Sequence, residues 1–191
     1  MLPSRHFGAA LAAAVTTLSA GYACAQGFTA HLTGFNEIGS IPSSYTGAIL
    51  SDGIGRAELV LDQGAGIIAY KLTYANVGTT PPLTGTVTQA HIHFGKSRDS
   101  GGILVFFCTN LTPPQGVPTP QACPVNSGTV TGTWTAADIV AVPGQNVAAG
   151  NFDALVDALL SNTAYANIHT TALPAGEIRG QVYPAEHDHG R

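Results

Sequence analysis

Short segments in which apolar and polar side chains alternate residue by residue recur along this chain of 191 amino acids. Residues 28–34 and 55–61 are the clearest examples. Alternation puts every second side chain on the same face, which is the pattern of a β-strand with one buried face. The 23 glycines and 12 prolines favour tight turns between such segments. The chain is therefore predicted to fold as antiparallel strands.

The segments with strand character predict an all-β protein. Strands are expected at residues 28–34, 55–61, 67–74, 87–94, 102–107, 129–134, 165–170 and 177–183. About eight or nine strands with turn signals at short intervals imply an antiparallel sandwich or barrel. One short helix is predicted over residues 152–160, where apolar residues recur at helical spacing. Thr135 is predicted to cap a short helical turn before that helix.

The first 25 residues are predicted to be an export signal. Arg5 supplies a positive charge, residues 7–20 are apolar, and Ala23-Cys24-Ala25 has the small-x-small pattern of a cleavage site. Cleavage before Gln26 is favoured over a lipid anchor on Cys24 or retention of the apolar segment as an anchor. The protein is therefore expected to be exported, either to the periplasm or to the medium.

Cleavage would leave Cys108 and Cys123 as the remaining cysteines. An even number of cysteines behind an export signal predicts a disulfide, which would contribute roughly 3 kcal/mol by restricting the unfolded chain. The alternative, a pair of thiolate metal ligands, is less favoured because the two residues are far apart and have no third cysteine nearby.

Charge and length narrow the classes of partner. Only 9% of the residues are charged, the net charge is −4, and no basic run is present, which argues against binding of nucleic acid. No second apolar segment is long enough to be a membrane span. Residues 26–183 suit one domain, followed by a polar tail at residues 184–191. We expect a monomer.

Three histidines in two predicted strands carry the strongest chemical signal. His91 and His93 lie two positions apart, so both point to the polar face, about 7 Å apart. His169 can join them from a second strand if the two strands are neighbours. Three imidazoles on an exterior patch, with one coordination position open, fit copper best and zinc next.

Other interpretations of these histidines stay open. Each imidazole could instead make a structural hydrogen bond to a backbone carbonyl or to a carboxylate such as Glu177. Direct catalysis has less support, because no serine or cysteine nucleophile motif is present. His31 is expected to be a solvated surface residue, and the tail residues His187 and His189 an accessory metal-capturing patch at most.

Glu177 and Arg179 are expected to share one face of the last strand. A cross-strand ion pair that closes the last hairpin is the preferred interpretation. In the alternative, Glu177 orients one of the imidazoles as a hydrogen-bond acceptor. Glu37, which follows Asn36, is expected to pair with Arg179 or to accept hydrogen bonds from turn amides.

Several motifs in a fixed order give the chain a family resemblance. They are Phe28-x-Ala30-x-Leu32-x-Gly34 followed by Asn36-Glu37, then Ala90-His91-Ile92-His93-x-Gly95, then Asn167-Ile168-His169-Thr170 and Pro174-x-Gly176-Glu177-Ile178-Arg179-Gly180-Gln181. Together they resemble the CHRD domain, a module first named in chordin, from residue 28 to residue 183. In chordin these domains accompany the binding of secreted growth factors, so the resemblance implies an extracytoplasmic binding module.

A weaker similarity connects the histidine pattern to copper-zinc superoxide dismutase. That enzyme places a His-x-His strand and a later histidine on an eight-stranded Greek-key barrel, and Arg179 could correspond to its arginine beside the copper. Its fourth copper ligand and its zinc-loop cluster have no counterpart in this chain. The similarity implies a Greek-key arrangement of the predicted strands.

Three functions follow as hypotheses. The preferred one is a non-catalytic module that binds copper through His91, His93 and His169, or another extracytoplasmic protein. The second is a copper oxidoreductase similar to superoxide dismutase. The third is a structural or adhesive module for protein interaction.

Overall fold

The strands and the helix lie close to the predicted positions. The computed structural model describes residues 25–38, 47–113 and 115–185. Within them the strands are β1 Gln26–Thr33, β2 Ile54–Asp62, β3 Ile67–Ala75, β4 Val87–Phe94, β5 Ile103–Thr109, β6 Gly128–Trp134, β7 Ala164–Thr170, β8 Ile178–Gln181 and β9 Tyr183–Pro184, and the α-helix is α1 Phe152–Leu160.

The strands form one antiparallel sheet that is nearly closed into a barrel. Its order is β5-β4-β7-β8-β1-β2-β3-β6, and β9 pairs with β1. The outer strands β5 and β6 meet where the indole nitrogen of Trp134 donates to the carbonyl of Phe106 at 2.8 Å. Strands β4, β5 and β6 are consecutive and β7 returns beside β4, which is a Greek key. The predicted all-β Greek-key fold with one short helix is confirmed.

Two details refine the predicted elements. The last predicted strand divides in two, because Val182 donates its amide to Ala164 whereas Tyr183 pairs with Thr29 of β1. Thr135 caps the short 3-10 turn Ala136–Asp138 in a reciprocal capping box, which confirms the predicted cap.

The interior of the barrel holds the apolar core. The largest of its buried side chains are Phe28, Leu32, Leu59, Ile68, Leu72, Ile92, Leu104, Phe107, Trp134, Ile139 and Leu155. Tyr70 stacks on Trp134 with ring centroids 4.4 Å apart, at the boundary between β3 and β6. Alternation along the strands thus directs every second side chain into the core, and α1 adds Leu155 and its neighbours.

Cys108 and Cys123 are joined by a disulfide across a sequence separation of 15 residues. The bond connects the end of β5 to the segment before β6. The predicted disulfide is confirmed, and it removes the thiolate metal pair as an alternative.

No helix in the described part of the chain is long and apolar enough to cross a membrane. Residues 1–24 and 186–191 lie outside the described residues, so the export signal and the tail with His187 and His189 stay predictions.

Candidate metal centre

Pairing of β4 with β7 brings the three predicted histidines together. In the register of the two strands, His91 is opposite Asn167 and His169 is opposite Gln89. The ring centroids of His91 and His93 are 4.8 Å apart, and those of His91 and His169 are 4.5 Å apart. One nitrogen from each ring lies within 4.8 Å of the others. The group has the composition and spacing to hold a metal ion.

The three rings are buried, so the expectation of an exterior patch is wrong. The exposed fractions are 0% for His91, 9% for His93 and 5% for His169. Residues 95–102, the loop between β4 and β5, cover the group from one side, and the loop after β7 covers it from another. Alternation predicted correctly which strand face the imidazoles occupy, but strand pattern contains no information about what packs over that face.

Irregular pairing adjusts the two histidines of β4. The register between β4 and β5 shifts between Ala90 and His91 and again between Ile92 and His93. Such bulges redirect side chains locally. Ala90 and Ile92 remain fully buried in the core on the opposite face.

Backbone carbonyls fix two of the imidazoles. Nδ1 of His93 lies 2.8 Å from the carbonyl oxygen of Gly101, and Nδ1 of His169 lies 2.9 Å from that of Pro174. A carbonyl can only accept, so both Nδ1 atoms carry the proton and both Nε2 atoms keep a lone pair. This is the arrangement that orients metal-ligating histidines.

His91 has its own place in this network. Its Nδ1 lies 3.0 Å from Nε2 of His93, and since that Nε2 is unprotonated, His91 Nδ1 is the donor. Nε2 of His91 and Nε2 of His169 are buried and have no hydrogen-bond partner among the described residues. The group therefore presents lone pairs that no protein donor satisfies.

Burial keeps all three imidazoles neutral. Desolvation lowers the pKa of His93 to about 3 and that of His169 to about 4. It lowers the pKa of His91 well below its usual value, and the neighbouring histidines add to the effect. Neutral imidazole is the form that binds metals, so the group needs no deprotonation at neutral pH.

The spacing fits a single ion after a small adjustment. Bonds of about 2.0–2.1 Å from imidazole nitrogen to metal require ligand nitrogens within about 4.2 Å of one another. The widest separation here is 4.8 Å. The most distant pair would close by roughly half an ångström, which small ring rotations provide.

Arg179 acts on the group through the loop 95–102. It is 2% exposed, and its Nη2 donates to the carbonyls of Lys96 and Asp99, both at 2.9 Å. Its guanidinium carbon lies 3.4 Å from the ring centroid of Tyr165, and that ring stacks on His93 at 4.6 Å. Arg179 is therefore connected to His93 both through the loop and through Tyr165.

Glu177 has neither of its two predicted roles. Its carboxylate, which is fully buried, accepts hydrogen bonds from the Ser51 hydroxyl at 2.8 Å, the Gly78 amide at 2.8 Å, the Thr84 hydroxyl at 2.5 Å and the Thr170 hydroxyl at 2.9 Å. The predicted ion pair with Arg179 is wrong, because the two side chains reach different loops. No imidazole is among its described partners either.

A cavity of about 210 Å³ adjoins the histidines, and we call it the site pocket. Its wall includes His93, His169, Tyr165, Asn167, Glu37 and Arg179. His31 lies outside this pocket, is exposed, and contacts Arg56 at 2.9 Å, in agreement with the predicted surface position. The site pocket leaves space for a small molecule beside His93 and His169.

Sequence reasoning overlooked several residues of this site. Asn167 precedes His169 by two positions, so alternation alone would have placed it on the same face. Gly101 and Pro174 act through carbonyl oxygens in loops, and no residue type signals such a role. For Tyr165 the sequence predicts only a position in a strand.

Comparison with known families gives one match. The model of the CHRD domain matches residues 28–182. The match includes the three histidines, the site pocket and the disulfide. No curated protein and no solved structure matches the chain.

Proposed function

The chain belongs to the CHRD domain family, and we propose that it is an exported, non-catalytic binding module that holds a transition metal, copper, through His91, His93 and His169. The observation that carries the proposal is the convergence of three buried imidazoles with one nitrogen each within 4.8 Å. Family membership suggests a binding module, and the histidines supply the chemistry for a metal ligand.

Unsatisfied lone pairs favour metal binding over purely structural hydrogen bonds. A buried polar atom without a partner costs about 1–3 kcal/mol. Two such atoms, Nε2 of His91 and Nε2 of His169, lie in this group. Structural histidines are normally satisfied by the protein itself. A cation bound to these two nitrogen atoms would remove the cost of leaving them without a partner.

The donor set favours copper over zinc. Affinity of a nitrogen site for divalent metals rises along the first row and is greatest for copper. Nε2 of His91 and Nε2 of His169, the two atoms without a described partner, are imidazole nitrogens that both copper and zinc accept. The order of affinities therefore decides between the two metals, and it favours copper.

Two observations support the location. The disulfide between Cys108 and Cys123 is typical of proteins that fold in oxidising compartments. The pattern of residues 1–25 is that of a cleavable export signal. Both are compatible with the periplasm and with the medium.

Metal analysis of the purified protein tests the proposal. We expect about one copper per chain in the wild type after loading and dialysis, and loss of most of it in His169→Gln and His93→Gln. His31→Gln is the matched control, because His31 is exposed and outside the group. Electron paramagnetic resonance of the copper(II) form should show coupling to imidazole nitrogens.

Equal copper in the wild type and the two site variants, with all three folded by circular dichroism, would contradict the metal proposal. The protein-interaction alternative would then gain support. Superoxide consumption by the copper-loaded protein above that of free copper with denatured chain would instead favour the oxidoreductase.

A further inference from the structure

Asn167 presents an unsatisfied acceptor beside the histidine group. The residue is 2% exposed, and its Nδ2 donates to Oε2 of Glu37 at 2.5 Å. Its Oδ1 is buried and has no partner among the described residues. Reversing the amide would set its oxygen against the carboxylate, so the contact with Glu37 fixes which atom is left over.

The position of this acceptor matters. Asn167 and His169 are two residues apart on β7, so both side chains point to the same face of the sheet. Both line the site pocket, together with His93 and Arg179. The pocket therefore contains a hydrogen-bond acceptor and a metal-ligating lone pair that are both unoccupied by protein groups.

We propose that the metal site keeps an exchangeable fourth position that opens into the site pocket, and that a small protic ligand bound there, water at rest, donates a hydrogen bond to Asn167 Oδ1. The inference rests on the proposed function, because the ligand needs the metal. Water bound to a cation is a stronger donor than bulk water, which matches an acceptor held in place by Glu37.

Charge determines which other ligands the position accepts. The three imidazoles are neutral, so they do not offset the charge of a divalent ion. Arg179 adds a positive charge, and the negative charge of the Glu37 carboxylate attracts it. The pocket as a whole is positive once metal is bound, and small anions should displace the water.

An exchangeable fourth position would make this an open metal site and not a closed structural one. Structural sites fill all positions with protein ligands, whereas binding and catalytic sites keep one for an exogenous molecule. Only three candidate ligand residues converge in the described part of the chain. The fourth ligand then comes from the pocket.

Water proton relaxation and azide titration of the copper(II) protein test the inference on the wild type alone. We expect relaxation above the value for a copper site without bound water, a decrease of that relaxation on addition of azide, and a new azide-to-copper absorption band. Copper content is measured first. Absence of bound copper would reject the proposed function, whereas bound copper with no water signal and no azide response would reject the open position.

The role of Asn167 is tested with Asn167→Leu, which has similar volume and no acceptor. Removal of the acceptor weakens the binding of water, which donates a hydrogen bond to it. The binding of azide is not weakened, because azide has no hydrogen to donate. Azide affinity should therefore rise about two- to tenfold. Thr29→Val is the matched control, because Thr29 Oγ1 is also buried without a described partner but lies outside the site pocket.

Two results would overturn the role of Asn167. One is an azide affinity of Asn167→Leu equal to that of the wild type. The other is a decrease, which is what a merely distorted pocket would give. Asn167→Thr provides a second variant, since its hydroxyl can still accept a hydrogen bond from the bound water, so its azide affinity should stay nearer to the wild-type value than that of Asn167→Leu.

Discussion

At the scale of single residues, the contrast between Glu177 and Arg179 shows how burial decides a role. The two are separated by one residue, yet Glu177 is held by four uncharged donors and Arg179 by two carbonyls and an aromatic ring. A buried carboxylate is tolerated when hydrogen bonds replace its hydration. Glu177 therefore joins the loop before β2 and the loop between β3 and β4 to the end of β7, and it stays apart from the histidines.

Glu177→Gln should destabilise the fold without affecting the metal. The amide offers one acceptor oxygen where the carboxylate offers two, so the hydroxyls of Thr84 and Thr170 lose a charged acceptor and must turn to accept from the amide nitrogen. We expect a loss of about 2–4 kcal/mol in the free energy of unfolding, measured in urea. Copper content at saturation should stay at the wild-type value. A loss of copper from a variant that remains folded would instead support the earlier idea that Glu177 orients an imidazole.

At the scale of elements, the loop 95–102 is what turns a strand face into an enclosed site. Arg179 of β8 holds the carbonyls of Lys96 and Asp99, and Gln181 of the same strand donates to that of Gly95. Close packing requires a glycine at position 101, because a Cβ there would collide with the carbonyl oxygen of Phe94. The loop is thereby fixed at the point where Gly101 accepts the hydrogen bond of His93.

Arg179→Lys should weaken metal binding through this loop. Lysine keeps the charge but loses the planar fork that reaches two carbonyls and the stacking on Tyr165. Loss of partners that orient a ligand typically lowers metal affinity 10–100-fold, and we expect a decrease of about that size. Competition titration with a copper chelator measures it. Arg98→Lys is the control, since Arg98 lies exposed in the same loop, and equal affinities of the two variants would contradict the prediction.

Elements were easier to predict from the sequence than the contacts between them. Alternation and helical spacing located β4 and α1 to the residue, because each pattern is local. The alternation also placed His91 and His93 on one face. The partners of Glu177 lie 126, 99 and 93 residues away for Ser51, Gly78 and Thr84. No local pattern encodes such contacts, and the same holds for the loops that bury the imidazoles.

At the scale of the whole molecule, the fold encloses three histidines on the face opposite its apolar core. Each stays neutral in the folded protein, because burial lowers the pKa of His93 to about 3 and that of His169 to about 4. In the unfolded chain a histidine has a pKa of about 6.5. As pH falls below that value, the unfolded chain binds protons that the folded chain does not, so the folded state loses stability.

The metal-free protein should therefore lose stability between pH 6.5 and pH 4. Each histidine contributes a slope of about 1.4 kcal/mol per pH unit, or roughly 2 kcal/mol by pH 5. Urea unfolding at pH 7, 6 and 5 measures the loss, in a range where most carboxylates have not yet titrated. A free energy of unfolding that is the same at pH 7 and pH 5 would contradict the assignment of buried neutral imidazoles.

The enclosure by loops also bears on how fast an ion enters and leaves. Small ligands reach the nitrogen atoms beneath the β4–β5 loop through the site pocket, whereas a chelator too large for a cavity of about 210 Å³ reaches the ion only when that loop opens. The rate of dissociation to such a chelator would then equal the rate of loop opening and would not depend on the affinity of the chelator for the metal. The rate at which a chelator removes the ion should therefore level off as its concentration rises. The protein would then keep its metal during short exposure to molecules that bind the metal more tightly.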